Sequence, residues 1–152
     1  MARYRFVCAA KLLTAFLFFL QMSEPSAREN DSTEAVVQAQ LDAYNGHDIL
    51  AFMATYARDA EIYEFPAKLL MKGAAQIENF YANKRFNDPR LHATISKRMV
   101  MGDVVVDHEQ IVMTFPEGFG RTEAIAIYEV QAGKIVKVTL LRGKKVIDPI
   151  QK

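Results

Sequence analysis

The chain has 152 residues, 51% of them hydrophobic and 24% charged, with a formal net charge of +1. That composition describes one ordinary globular domain and excludes an intrinsically disordered chain. With no basic run beyond Lys144-Lys145, nucleic acid is excluded as an expected partner.

Residues 1–27 read as a targeting segment. Arg3 and Arg5 make a positive start, and Phe6 to Leu20 is apolar except for Lys11. The run is too short for a comfortable membrane span and fits a signal peptide. Ala27 is the expected last residue before cleavage, although Pro25 fits the cleavage pattern poorly. The expected location is periplasmic or secreted, with no stable membrane insertion after cleavage. An uncleaved, membrane-anchored protein is the alternative. Cleavage removes three of the 19 basic and one of the 18 acidic side chains, leaving 16 against 17. It also removes the only cysteine, Cys8, so the mature chain has no disulfide and no thiolate chemistry.

Residues 28–32 are polar and read as a disordered lead-in to a domain over 33–142, with 143–152 as a tail. Ser32 or Thr33 can cap a first helix, along which Val36, Val37, Gln40, Leu41 and Tyr44 recur at helical spacing. Asn45-Gly46 ends it with a left-handed cap. A second helix starts at Asp48 and carries Ile49, Phe52, Met53 and Tyr56 on its apolar side. A strand over 59–66 is closed by Pro66, and Gly73 opens a third helix through Ile77, Phe80 and Tyr81.

Asn87-Asp88-Pro89 is a turn. Four strands follow, over 91–101, 104–115, 121–130 and 135–141, joined by Gly-containing turns. Short connections favour an antiparallel meander. Helices followed by a long sheet make the fold class α+β. Periodicity gives this order of elements and does not decide between a hollow and a flat packing.

The layout resembles the NTF2-like superfamily, in its SnoaL-like and ketosteroid-isomerase-like branches. The resemblance rests on Ala35-Val36-Val37-Gln38, Asp59-Ala60, Glu64 near Pro66, Gly73, and Phe80-Tyr81-Ala82-Asn83. It implies a cone: a curved antiparallel sheet wrapped around the N-terminal helices, with a pocket between them. It also implies a homodimer formed through the exposed sheet face.

Glu64 falls where ketosteroid isomerases carry their proton-shuttling carboxylate. Desolvation would raise the pKa of a carboxylate in such a pocket and make it a useful general base. A solvent-facing strand glutamate is the alternative. On the strand over 104–115, His108 and Gln110 share a face with Val106 and Val112, as a pocket wall with two polar groups would. The alternative for His108 is an exposed or structurally bonded histidine. Gln40 stands at the helix position of the isomerases' oxyanion tyrosine, and Ala126 lies near that of their protonated Asp. Tyr44, one turn after Gln40, is a substitute donor.

Tyr128 shares a parity with Ala124 and Ala126 and is a further lining candidate, a packed core tyrosine being the alternative. Arg98 shares a strand face with His92, Thr94 and Ser96. That stripe is a solvated face or, turned inward, a binder of a carboxylate or enolate. The three histidines have no metal-ligand spacing, and no phosphate loop or dinucleotide fingerprint is present. No cofactor or metal is expected.

The expected function is that of an exported SnoaL-like protein binding a small, mostly apolar molecule. As an enzyme it would be a cofactor-free isomerase, cyclase or lyase. Glu64 and His108 are its catalytic candidates, with Gln40, Tyr44, Gln110, Tyr128 and Arg98 on the substrate. A non-catalytic ligand-binding or dimeric assembly module is the alternative, and action on another exported macromolecule is a third.

Overall fold

The computed structural model describes residues 26–149. The targeting segment lies outside them up to residue 25, as does the end of the expected tail. Helix α1 spans Ser26–Asn45 and α2 spans Ile49–Ala54. Strands β1 (Tyr56–Glu64) and β2 (Lys68–Lys72) precede helix α3 (Ala74–Phe80), which runs into a π-helical turn over Tyr81–Arg85. Strands β3 (His92–Met101), β4 (Val104–Phe115), β5 (Gly118–Gln131) and β6 (Lys134–Ile147) complete the chain.

The fold is α+β: one curved, open six-stranded sheet in the order β2-β1-β6-β5-β4-β3. It is mixed, because β1 runs parallel to β6 while the other pairs are antiparallel. This corrects the purely antiparallel expectation. The helices between β1 and the meander reverse the chain, so β1 and β6 meet in the same direction. Bulges in β1, β3 and β5 bend the strands and supply curvature. The β5–β6 turn has positive φ at both Ala132 (50°) and Gly133 (71°), the combination that matches strand twist in a two-residue hairpin.

Several boundaries differ from the sequence reading. The stretch 28–32 is part of α1 rather than a lead-in. Residues 143–147 continue β6, paired with β5 through Gly120 to Thr122, rather than forming a tail. Strand β2 lacks a sequence signal because its five residues are too few to show a period. The left-handed residue after α1 is His47 (φ 52°), not Gly46; Gly46 still extends the helix, its N–H donating to the Asp42 carbonyl at 2.8 Å. Asp48 caps α2, its Oδ1 accepting from the Ala51 N–H at 3.0 Å.

Asn45 ties the end of α1 to the sheet. Its side chain donates to the Ala93 carbonyl at 2.9 Å and accepts from the Ala93 N–H at 2.8 Å, as a neighbouring strand would. The core lies between α1, α2, α3 and the concave sheet face. Phe52 is fully buried at its centre, with ring centroids of Tyr81, Tyr56 and Phe86 at 4.5, 5.0 and 5.3 Å.

Candidate functional site

The aromatic cluster fills one end of the cone and leaves a cavity of about 440 Å³ toward the other, within the usual range for small-molecule sites. Its deep wall comes from α1 (Gln40), β1 (Tyr56), β4 (Glu109) and β5 (Tyr128), all buried. Apolar side chains, among them Ile111, Met113 and Leu140, line much of the rest together with Arg85, Thr114 and Thr122, and the exposed Pro116, Arg142 and Lys145 mark the rim.

The inward parity of β4 is Val105, Asp107, Glu109, Ile111 and Met113. Register explains it. Glu109 pairs with Ala124 and Asp107 with Ala126, the small buried residues of β5. Two carboxylates therefore enter the concave side, and they have different environments.

Asp107, 1% exposed, is gripped by Arg98: Nε donates to Oδ1 and Nη2 to Oδ2, both at 2.7 Å. The remaining Arg98 nitrogen, Nη1, donates to Gln38 Oε1 on α1 at 2.8 Å. Glu109, 6% exposed, has no cationic partner among the described residues. Its Oε1 accepts from the Tyr128 hydroxyl at 3.0 Å, and no other protein donor reaches the carboxylate among those residues. Burial raises its pKa to about 7, with the Asp107 charge adding to the rise. The Tyr128 hydrogen bond and Arg98 act against it.

Hydroxyl groups surround this acid. Tyr56 Oη accepts from Gln40 Nε2 at 3.3 Å, and its own proton finds no protein acceptor among the described residues. Tyr44 and Tyr81 also line the cavity, with no hydrogen bond to their hydroxyls among those residues. Burial pushes all four phenols, Tyr128 included, above their ordinary pKa. They stay protonated and can donate. The site joins one carboxyl group that titrates near neutrality to several O–H donors in an apolar enclosure.

Of the residues singled out from sequence, Gln40, Tyr44 and Tyr128 stand in the cavity wall. Glu64 is not among the lining residues; it meets Arg142 at 3.2 Å and Lys68 at 3.5 Å near the rim. His108 and Gln110 point to the opposite sheet face, which corrects their expected direction. His108 lies 3.7 Å from Glu123, and Gln110 is exposed beside a shallow groove. The valines that share their parity cover the convex side, so apolar neighbours misidentify the inner face. Arg98 turns inward for a reason alternation alone cannot supply. A bulge between Ile95 and Lys97 shifts the parity, so His92, Thr94 and Ser96 face out while Arg98 faces Asp107. It is occupied there and does not line the cavity.

Glu109 is the residue that the sequence reading missed. Its signal was the two-residue Pro116-Glu117 turn, which sets Glu109 opposite Ala124. Among the described residues, no group of three or more His, Cys, Asp or Glu could hold a metal ion. None of the described helices is long and apolar enough to cross a membrane.

The SnoaL-like domain model matches residues 37–138. Among solved structures, a candidate ketosteroid isomerase from Kribbella flavida DSM 17836 is 18% identical with a TM-score of 0.63. That match covers 81% of this chain and 86% of the other. A candidate SnoaL-like polyketide cyclase from Jannaschia sp. CCS1 is 16% identical with a TM-score of 0.65, over 75% and 87% of the two chains. A LEH-like epoxide hydrolase from Mycobacterium tuberculosis is 14% identical with a TM-score of 0.65, over 76% and 85%. At such identities these likenesses establish the fold alone. A sequence search finds no match among curated proteins.

Proposed function

The chain belongs to the SnoaL-like domain family, and from that membership we propose that its cone binds a small, mostly apolar carbonyl compound and moves a proton on it without a cofactor. Isomerase, cyclase and lyase chemistry all contain such a step. The base is assigned to Glu109 rather than Glu64. The observation that carries this is a buried carboxyl group with a pKa of about 7 and, among the described residues, one protein hydrogen-bond donor, facing an apolar cavity.

In the step itself, Glu109 takes a proton from the carbon next to the carbonyl. The C–H electron pair moves into the C–C bond, and the carbonyl oxygen becomes an enolate oxygen. A tyrosine hydroxyl, Tyr56 or Tyr81, donates to that oxygen as its charge grows, where a preorganised donor is worth most. Glu109 then returns the proton to a different carbon or to the same one. Tyr128 holds the carboxylate in place throughout. Its own proton is committed to Glu109, so it positions the base.

We extend the proposal to location and assembly. The protein works after export, with residues 1–27 removed, and pairs as a homodimer through the convex sheet face, where Met99 and Leu141 are exposed. A second reading, ligand binding without turnover, is favoured by Ala126, which puts a methyl group near the place of the acidic oxyanion donor of ketosteroid isomerases.

Solvent exchange tests the assignment. A panel of apolar ketones is incubated with the protein in D₂O, and deuterium entering the carbon next to the carbonyl is followed by NMR. The expected result is incorporation by the native protein and its loss in Glu109→Gln. Equal incorporation by both proteins overturns Glu109 as the base. Saturable binding with no incorporation selects the second reading.

A further inference from the structure

The cavity is acidic at depth and basic toward its opening. Among the described residues three cations line it: Arg85, Arg142 and Lys145. Arg142 donates to Glu64 at 3.2 Å, and Lys145 is paired with Glu117. Arg85 has no carboxylate partner among the described residues. Its Nη1 reaches Met113 Sδ at 3.1 Å and its guanidinium lies 5.4 Å from the Phe80 ring. A thioether is a weak acceptor, so most of the five guanidinium donors are left for something else.

The backbone places Arg85 there by an unusual route. It closes the π-helical turn, in which the Phe86 N–H donates to the Tyr81 carbonyl at 2.9 Å, five residues back. Such turns are rare and concentrate at functional sites. Here the turn sets Tyr81 and Arg85 on the same wall of the cavity. Burial raises the Tyr81 and Tyr44 phenols, and Arg85 is the strongest positive influence opposing that rise in each. Its charge therefore reaches into the enclosed space.

We propose that the molecule taken by this cavity is an amphipathic monoanion: an apolar body carrying one carboxylate, received by the Arg85 guanidinium. The inference rests on the reading above that the cavity binds a small molecule. A planar guanidinium matches a carboxylate bidentately. One uncompensated cation matches one negative charge, which favours a carboxylate over a dianionic phosphate monoester. With its carboxylate at Arg85, the body of the ligand extends along Ile111 and Met113 toward Glu109.

Calorimetric titration with two probes of one shape, 2-naphthoate and 2-naphthamide, tests this at low ionic strength. The expected result is about tenfold tighter binding of the carboxylate, the scale of a charge-assisted hydrogen bond. Arg85→Gln should erase that preference while retaining amide binding. Glu64→Gln, which releases Arg142, should widen it. Equal binding of both probes by the native protein overturns the carboxylate assignment and leaves cavity binding standing. A preference that survives in folded Arg85→Gln does the same. If Arg85→Gln does not fold, Arg85→Lys decides: it keeps the charge and loses the bidentate fork, so the preference should shrink, and an unchanged ratio overturns the proposal. Binding of neither probe removes the underlying reading and this inference with it.

Discussion

The Tyr128 hydroxyl donates to Glu109 Oε1 across 3.0 Å, while nothing among the described residues donates to the other carboxylate oxygen. One oxygen is anchored and the other is left for a ligand, inside an apolar cavity. Replacing the carboxylate by an amide of the same shape should separate chemistry from binding. Glu109→Gln is expected to lower the exchange rate about 10²- to 10⁴-fold, the usual contribution of a positioned acid–base group. Affinity for neutral apolar probes should persist. A variant that binds normally and exchanges at the native rate would move the base elsewhere.

Glu109 also predicts a stability trend opposite in sign to that of most carboxylates. Its folded pKa of about 7 lies above the ordinary value of 4.5. Below about pH 4.5 both folded and unfolded forms are protonated, and the group costs nothing. Between pH 4.5 and 7 the unfolded chain releases the proton while the folded one keeps it, so stability falls as pH rises. The loss is complete above about pH 7 and amounts to about 3 kcal/mol at 1.36 kcal/mol per pKa unit. Urea titrations across this window should give a smaller decline for Glu109→Gln than for the native protein. Parallel curves for the two proteins would refute the raised pKa.

Tyr128→Phe removes the hydrogen bond that opposes the rise in the Glu109 pKa. The basic form then becomes dominant only at higher pH, so the ascending limb of the pH–rate profile should move upward. Because the hydroxyl and the carboxyl are both buried, a stability loss of about 1 kcal/mol is expected. A pH–rate profile superimposable on the native one would mean that Tyr128 is a packing residue only.

Much of this fold was readable from residue patterns, for physical reasons that also explain the failures. Helix periodicity and caps located α1, α2 and α3, and Gly-containing turns separated β3 to β6. What was lost was facing. Strand alternation sorts residues into two sets without saying which is inside, and the valines at 106 and 112 favour the wrong set. The Pro116-Glu117 turn decides it: two-residue connections fix register, and register puts Glu109 beside Ala124. The bulge at Ser96 is different, since nothing in the local residue types marks where a strand gains an extra residue. Alternation alone therefore puts Arg98 in one stripe with His92 and Thr94, either solvated or turned inward onto a substrate, whereas in the fold it is turned inward and held by Asp107. Glu64 was located by resemblance alone, and resemblance gives position along the chain without the direction of a side chain.

His108 offers a direct contrast with Glu109. It sits one residue away on the same strand, yet it faces the convex side beside Glu123, with 38% of its side chain exposed. A surface substitution of this kind usually changes stability by less than about 0.5 kcal/mol. His108→Ala should leave proton exchange at the native rate and the thermal midpoint nearly unmoved. A large loss of exchange in this variant would return the acid–base role to the opposite sheet face.

Arg98 and Asp107 make the most demanding stability prediction. Two parallel 2.7 Å hydrogen bonds neutralise a carboxylate that is 1% exposed, and the third guanidinium nitrogen reaches α1 through Gln38. Removing Arg98 alone leaves the Asp107 charge buried without a partner, so Arg98→Ala should cost about 3–5 kcal/mol. Replacing both by apolar residues of similar volume should cost much less, because no uncompensated charge remains. The pair also acts on Glu109 with opposite signs: the Asp107 charge raises its pKa and Arg98 lowers it. The double replacement should therefore leave the pH–rate midpoint close to native, whereas Asp107→Asn should move it downward. Denaturant unfolding of the two single variants and the double variant measures the coupling, and additive losses would show that the pair does not act as a unit.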